Sequence, residues 1–203
     1  MSFYEDFFKK YPQAIDSRGV PQEIMSNYET ILPGPIIDIW KKHGWGGYRD
    51  GLFWTINPDK YLDYIKKWVV MDYEEVYPIM RTAFGDLIII YNFKEADEEY
   101  EKIRTAVIDI KHHDADKITI GLEDFFETCL LRIGRLINSS KIDSDLFDDL
   151  VNKYGVLNYD LCYGFDPILP LYRKENIKNV KIVDFDTHLE TLTQALAAPL
   201  EGL

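Results

Sequence analysis

The sequence predicts an α+β protein in which a mixed or antiparallel sheet is packed by several helices, and three observations carry that expectation. Apolar residues recur at helical spacing in short stretches such as Tyr61, Leu62, Ile65 and Trp68. Between such stretches lie strand-length runs: Leu52, Trp54 and Ile56 alternate with Phe53, Thr55 and Asn57, and Leu87 to Tyr91 is almost uninterruptedly apolar. The third observation is composition. With 46% hydrophobic and 14% aromatic residues in a chain of 203, there is ample apolar material for a core, and at this length about two-thirds of the unfolded surface is buried on folding.

Taken in order, residues 2 to 10 are expected to form a short amphipathic helix, capped by Ser2 and ended by Tyr11 and Pro12. A second helix is expected over Gln22 to Thr30, started by Pro21. A third begins near Pro35, carries Ile36, Ile37, Ile39 and Trp40, and stops near Gly44, with His43 in its last turn at the negative end of the dipole. Gly44, Gly46 and Gly47 then predict a sharp turn before the strand around Trp54. Asn57 is placed to cap the next helix, with Pro58 in its first position. An acidic helical link through Tyr73, Val76, Tyr77, Ile79 and Met80 leads to the turn at Gly85 and Asp86 and to the buried strand that follows.

In the second half, Ala106 to Ile110 reads as a strand with Ile118 to Ile120 as its partner. Gly121 precedes a core helix bearing Leu122, Phe125, Phe126, Cys129, Leu130 and Ile133. Asp143 or Ser144 caps a helix with Leu146, Leu150 and Val151 inward, ending near Tyr154 and Gly155. From Tyr159 the chain moves from a Gly/Pro-rich turn to a strand at Val180 to Val183 and a last helix, which is capped by Asp186 or Thr187 and buries Leu189, Leu192 and Leu196. The final APLEGL reads as a frayed end or an appended remnant. The halves divide into residues 1–120 and 121–203, expected as two domains or one continuous unit.

Charge and motifs narrow the function. The formal net charge of −12 repels nucleic acid and anionic membrane and suits a basic partner, although it also serves solubility. Cys129 and Cys162, each among apolar neighbours, read as reduced core residues. The start of the chain lacks a basic, then apolar, leader, so a cytoplasmic protein is expected. Walker, GxGxxG, HExxH and GxSxG elements are missing, and neither a catalytic set nor a cofactor is expected. His112, Asp114 and Asp116 would share one side of an extended segment and are the candidate ligands for the competing reading, a metal-dependent hydrolase. An ordinary polar turn between strands accounts for them more simply. A third reading is an acidic regulatory module. Two acidic runs are the candidate partner-binding residues: Glu95, Asp97, Glu98, Glu99 and Glu101, and then Asp143, Asp145, Asp148 and Asp149.

The segments LPG, GWGGYRDGLFWTINP and AFGDLIIIY, with Gly44, Gly46, Gly51, Trp54, Pro58, Phe84, Gly85 and Asp86, resemble the GAD-like domain. DFFETCLL, then YGFDPILPL and THLETL, with Gly164, Pro167, His188 and Leu189, resemble its companion C-terminal domain. Where that resemblance leads one to expect glycines, this chain has Tyr172, Arg173 and Lys174. The pair resembles immunity proteins of bacterial type VI secretion systems. The resemblance implies a non-enzymatic protein that binds a cognate toxin, a DNase, and covers its substrate surface. A DNase carries positive potential for the phosphate backbone, so an acidic inhibitor suits it.

Overall fold

The computed structural model describes residues 3–70, 76–91, 103–127, 144–169, 176–196 and 200–201. Glu95 to Glu101, Asp143, Tyr73, Cys129 and Tyr172 to Lys174 lie outside them, and the side chain of Asp116 is likewise not described.

The elements run α1 (Phe3–Lys10), β1 (Ile15–Arg18), α2 (Gln22–Tyr28), α3 (Gly34–His43), β2 (Trp45–Tyr48), β3 (Phe53–Thr55), α4 (Pro58–Trp68) and β4 (Val69–Val70). Then come β5 (Tyr77–Thr82), β6 (Leu87–Tyr91), β7 (Arg104–Asp109), β8 (Asp114–Gly121) and α5 (Leu122–Phe125). The rest is α6 (Ser144–Tyr154), β9 (Leu161–Phe165), a 3-10 turn (Ile177–Asn179), β10 (Val180–Asp184), α7 (Phe185–Ala195) and β11 (Leu200–Glu201). Seven strands form one antiparallel sheet in the order β1-β2-β3-β5-β6-β7-β8. The predicted α+β class holds.

The sheet separates two cores. Along β6, Ile88 and Ile90 enter one and Leu87, Ile89 and Tyr91 the other, the two-residue period of a strand buried on both faces. The first core takes Phe7 of α1, Trp40 of α3, Phe125 and Phe147. The second takes Tyr61, Ile65 and Trp68 of α4 with Phe185, Leu189 and Leu192 of α7. Helix caps follow local chemistry: the Asn57 side chain accepts from Asp59 N at 3.1 Å, and Gly44 ends α3 at φ 70°.

Four local expectations give way. The predicted link helix through Val76 to Met80 is strand β5. A bulge between Pro78 and Met80 turns Ile79 and Met80 to the same core, which imitates helical spacing in the sequence. The predicted turn at Gly46 and Gly47 is strand β2. Its glycines are demanded by close packing, since a Cβ on Gly46 would lie 2.7 Å from the Ala14 Cβ and one on Gly47 would lie 2.9 Å from the Trp54 ring. The predicted turn around Cys162 is strand β9, paired with β10 from Leu161 opposite Asp184 to Phe165 opposite Val180. The cap of α7 is Asp184, which accepts from Thr187 N at 2.8 Å, so the helix starts two residues earlier than Asp186 implied. At the chain's end, Leu200 and Glu201 pair in parallel with Val69 and Val70.

The C-terminal elements pack on the sheet through specific polar contacts. Tyr163 N donates to Ala83 O at 2.8 Å. Arg81, fully buried on β5, donates to Thr82 O at 3.0 Å, Tyr159 O at 2.6 Å and Leu161 O at 3.1 Å, between the rings of Trp54 and Phe185. On β1, Arg18 makes a bidentate pair with Asp160 at 2.9 and 2.6 Å. Helix α4 meets α7 through Tyr61 to Asp186, Tyr64 to Glu190 and Trp68 to Thr193, at 2.9, 2.9 and 2.7 Å.

Arg81→Met keeps the bulk of the side chain but takes the guanidinium donors away from the Tyr159 and Leu161 carbonyls. It is expected to destabilise the protein by roughly 3 kcal/mol or more, read as a fall in the urea midpoint. A midpoint equal to the parent's would show that the guanidinium does not hold the C-terminal elements.

Candidate functional site

Helix α6 buries Phe147 and Leu150 and leaves Asp145, Asp148 and Asp149 exposed. The i, i+3 and i+4 spacing sets the three carboxylates on one side of the helix. The structure thus brings together the described part of the second acidic run, while the first run and Asp143 lie outside the described residues.

Beside α6 sits the β2–β3 turn. Gly51 N donates to Tyr48 O at 3.2 Å, and the two central residues, Arg49 and Asp50, have φ of 54° and 55°. With Gly51 at 86°, three successive residues of the loop are left-handed, a conformation usually left to Gly or Asn. Side chains there cost about 1–2 kcal/mol per residue. The pairing of Tyr48 with Phe53 leaves Arg49 to Leu52 as a four-residue loop about the Asp-Gly that YRDG offers as a turn signal, and a second turn bond runs from Leu52 N to Arg49 O at 3.0 Å. The Trp54 indole donates to Gly51 O at 2.6 Å and clamps the turn from beneath.

A pocket of about 510 Å³ opens between this turn, the end of α1 and α6. Lys10, Tyr11, Arg49, Asp50, Phe147 and Asp148 line it. Burial pushes the Tyr11 phenol up to about 12, so it stays a neutral hydroxyl. At the other end of α6, Tyr154 and Val156 are 39% and 47% exposed. A Cβ on Gly51 would lie 3.4 Å from Val156 Cγ1, so Val156 flanks the same turn. Tyr154 packs on Tyr163, opposite which Ile182 is 40% exposed on β10. Sequence reasoning did not single out Tyr11, Arg49, Asp50, Tyr154 or Val156 for binding, because nothing local says that α1, the turn and α6 meet.

The signature residues serve the fold. A Cβ on Gly44 would meet Arg18 O at 2.1 Å, and one on Gly164 would meet His188 Cε1 at 2.9 Å. Burial lowers the His188 pKa and keeps the ring neutral. Gly85 takes φ 86° at the β5–β6 turn, Pro58 opens α4, Pro167 follows a cis peptide, and Phe84 and Leu189 are buried. His43 is buried, with Nδ1 3.1 Å from the Tyr48 hydroxyl. Burial and then Lys42 lower its pKa, so the ring gives the α3 terminus no cationic charge.

Asp86 is part of a buried ionic group. Lys111 Nζ lies 3.3 Å from Asp86 Oδ2 and 3.2 Å from Asp109 Oδ2, and Thr82 Oγ1 donates to Asp86 Oδ2 at 2.8 Å. Asp86 Oδ1 has no partner among the described residues, and burial pushes its carboxyl up to about 6. Asp109 is held below the usual carboxylate range because the His112 ring and amide, together with Lys111, outweigh its burial. His112 Nδ1 is 2.8 Å from Asp109 Oδ2, and Asp114 Oδ1 accepts from Ala115 N. Of the candidate metal ligands, His112 and Asp114 thus have these structural partners, and no group of three metal-ligating side chains occurs among the described residues. No helix among them is long and apolar enough to cross a membrane.

Residues 2–105 match the family model of the GAD-like domain, and residues 123–195 match that of the T6SS immunity protein Tdi1, C-terminal. The crystal structure of Atu4351 from Agrobacterium tumefaciens is similar in fold, with a TM-score of 0.68 and 19% identity over 95% of this chain and 89% of that one. No curated protein matches the sequence.

The raised Asp86 carboxyl has a readable consequence. A carboxyl that binds its proton more tightly when folded adds stability that is full below the unfolded value of 3.8 and is lost as pH rises through about 6. Asp86→Asn is expected to remove that fall from urea-unfolding free energies measured between pH 4 and 7. An unaltered slope would place the titration elsewhere.

Proposed function

This chain belongs to the GAD-like domain family and is a type VI secretion immunity protein, and we propose that its cognate toxin is a DNase whose DNA-binding surface it covers. The observation that carries the reading is the exposed face of Asp145, Asp148 and Asp149 on α6, within a chain of net charge −12. A DNase must present positive potential to the phosphate backbone. An acidic face on a rigid helix, anchored by Phe147 and Leu150, competes for that potential and speeds encounter. Residues 1–120 and 121–203 act as one unit in this reading, because Arg81 and Arg18 tie the second part to the first. The immunity protein works in the cytoplasm of the cell it protects, where an incoming nuclease would reach DNA.

The test is inhibition. The purified chain is expected to suppress DNA cleavage by its cognate toxin at near-equimolar ratio. A toxin whose activity on another substrate is silenced while DNA is untouched would sink the DNase reading. Replacing Asp145, Asp148 and Asp149 together by lysine is expected to slow association at low salt by roughly tenfold or more and to flatten its salt dependence. Stopped-flow binding decides this. Unchanged association kinetics would remove α6 from the encounter surface.

A further inference from the structure

The pocket between the β2–β3 turn, α1 and α6 stands beside the acidic face, and the immunity reading does not by itself assign it a role. Three observations converge on it. Its volume of about 510 Å³ exceeds what one side chain fills, and it is lined by both signs, Lys10 and Arg49 with Asp50 and Asp148. The turn that forms one wall holds two side chains in the left-handed region, where glycine would be easier to accommodate. Exposed Tyr154 and Val156 continue from it, Val156 lying against Gly51 of the same turn.

We infer that this pocket and its apolar rim are the anchor site for a basic loop of the cognate toxin, a proposal that rests on the immunity reading. A lysine or arginine at the loop's tip enters between the Asp50 and Asp148 carboxylates. The mixed lining of both signs suits a peptide rather than a bare ion. Tyr154 and Val156 supply the apolar contact that excludes water around it. Charge complementarity selects the occupant: the adjoining carboxylates of Asp145 and Asp149 repel an acidic loop and draw a basic one. The division of labour is kinetic. The acidic face governs encounter, whereas the pocket governs dissociation.

The experiment uses the full chain and its purified cognate toxin. Arg49→Gly combined with Asp50→Gly relieves the turn, so the melting temperature is expected to hold or rise, while dissociation of the toxin quickens at least tenfold. Val156→Asp, at an exposed site, is expected to leave melting unchanged and also to quicken dissociation. Stable variants that release the toxin at the parent's rate would overturn the anchor site and leave the immunity reading standing. Self-association of the parent that the glycine variant abolishes, with toxin release unmoved, would assign the pocket to a second copy and overturn the proposal. A parent chain that fails to bind the toxin at all would overturn both.

Discussion

The fold depends on a buried guanidinium. Arg81 sits on β5 in the middle of the sheet, and its donors reach carbonyls of Thr82, Tyr159 and Leu161. Burial lowers its pKa, and an arginine still remains a cation because its intrinsic value is so high. Such a charge is tolerable only with its hydrogen bonds made and with aromatic faces beside it, here those of Trp54 and Phe185. The Tyr159 to Leu161 segment is therefore held at one place on the sheet. Strand β9 follows directly, then β10 pairs with it, and α7 closes the second core against α4. Nε of Arg81 has no partner among the described residues, so the site is held by three bonds and two rings rather than by a carboxylate.

The charges are sorted by depth. Inside, Lys111 lies between Asp86 and Asp109, and His112 adds to the Asp109 side. These groups offset one another and fix the geometry of the β7–β8 end of the sheet, where an unpaired charge would cost several kcal/mol. Outside, the carboxylates of α6 stand together on one face. Like charges that repel in the folded state cost little in water and become useful when a cation arrives. The same residue type thus serves packing at Asp86 and, in the function proposed, recognition at Asp148.

How much was legible depends on how local each signal is. The Asn57 cap, the Gly44 stop, the helix of Leu146 and Leu150, and the buried run from Leu87 to Tyr91 all announce themselves within a few residues, and each appears as read. The region around Gly46 and Gly47 misleads because glycine marks both a turn and a strand crossed closely by its neighbours. Only the Trp54 ring and Ala14 on top of it decide between them. The β5 segment misleads for another reason: a bulge breaks the two-residue period on which a strand reading rests. Of the candidate site, the acidity of α6 was visible in the sequence, whereas its neighbours were not.

By itself, then, the sequence determined the α+β class, the helix ends at Gly44 and Asn57, the central strand and the acidic helix, since these follow from propensity, periodicity and caps acting over one or two turns of chain. Tertiary structure alone decided that Arg81 meets Tyr159, that Gly164 lies under His188, and that Asp148 shares a pocket with Tyr11 and Asp50. Those partners are far apart in the chain. Their meeting depends on strand order and register across the whole sheet, which no local pattern encodes.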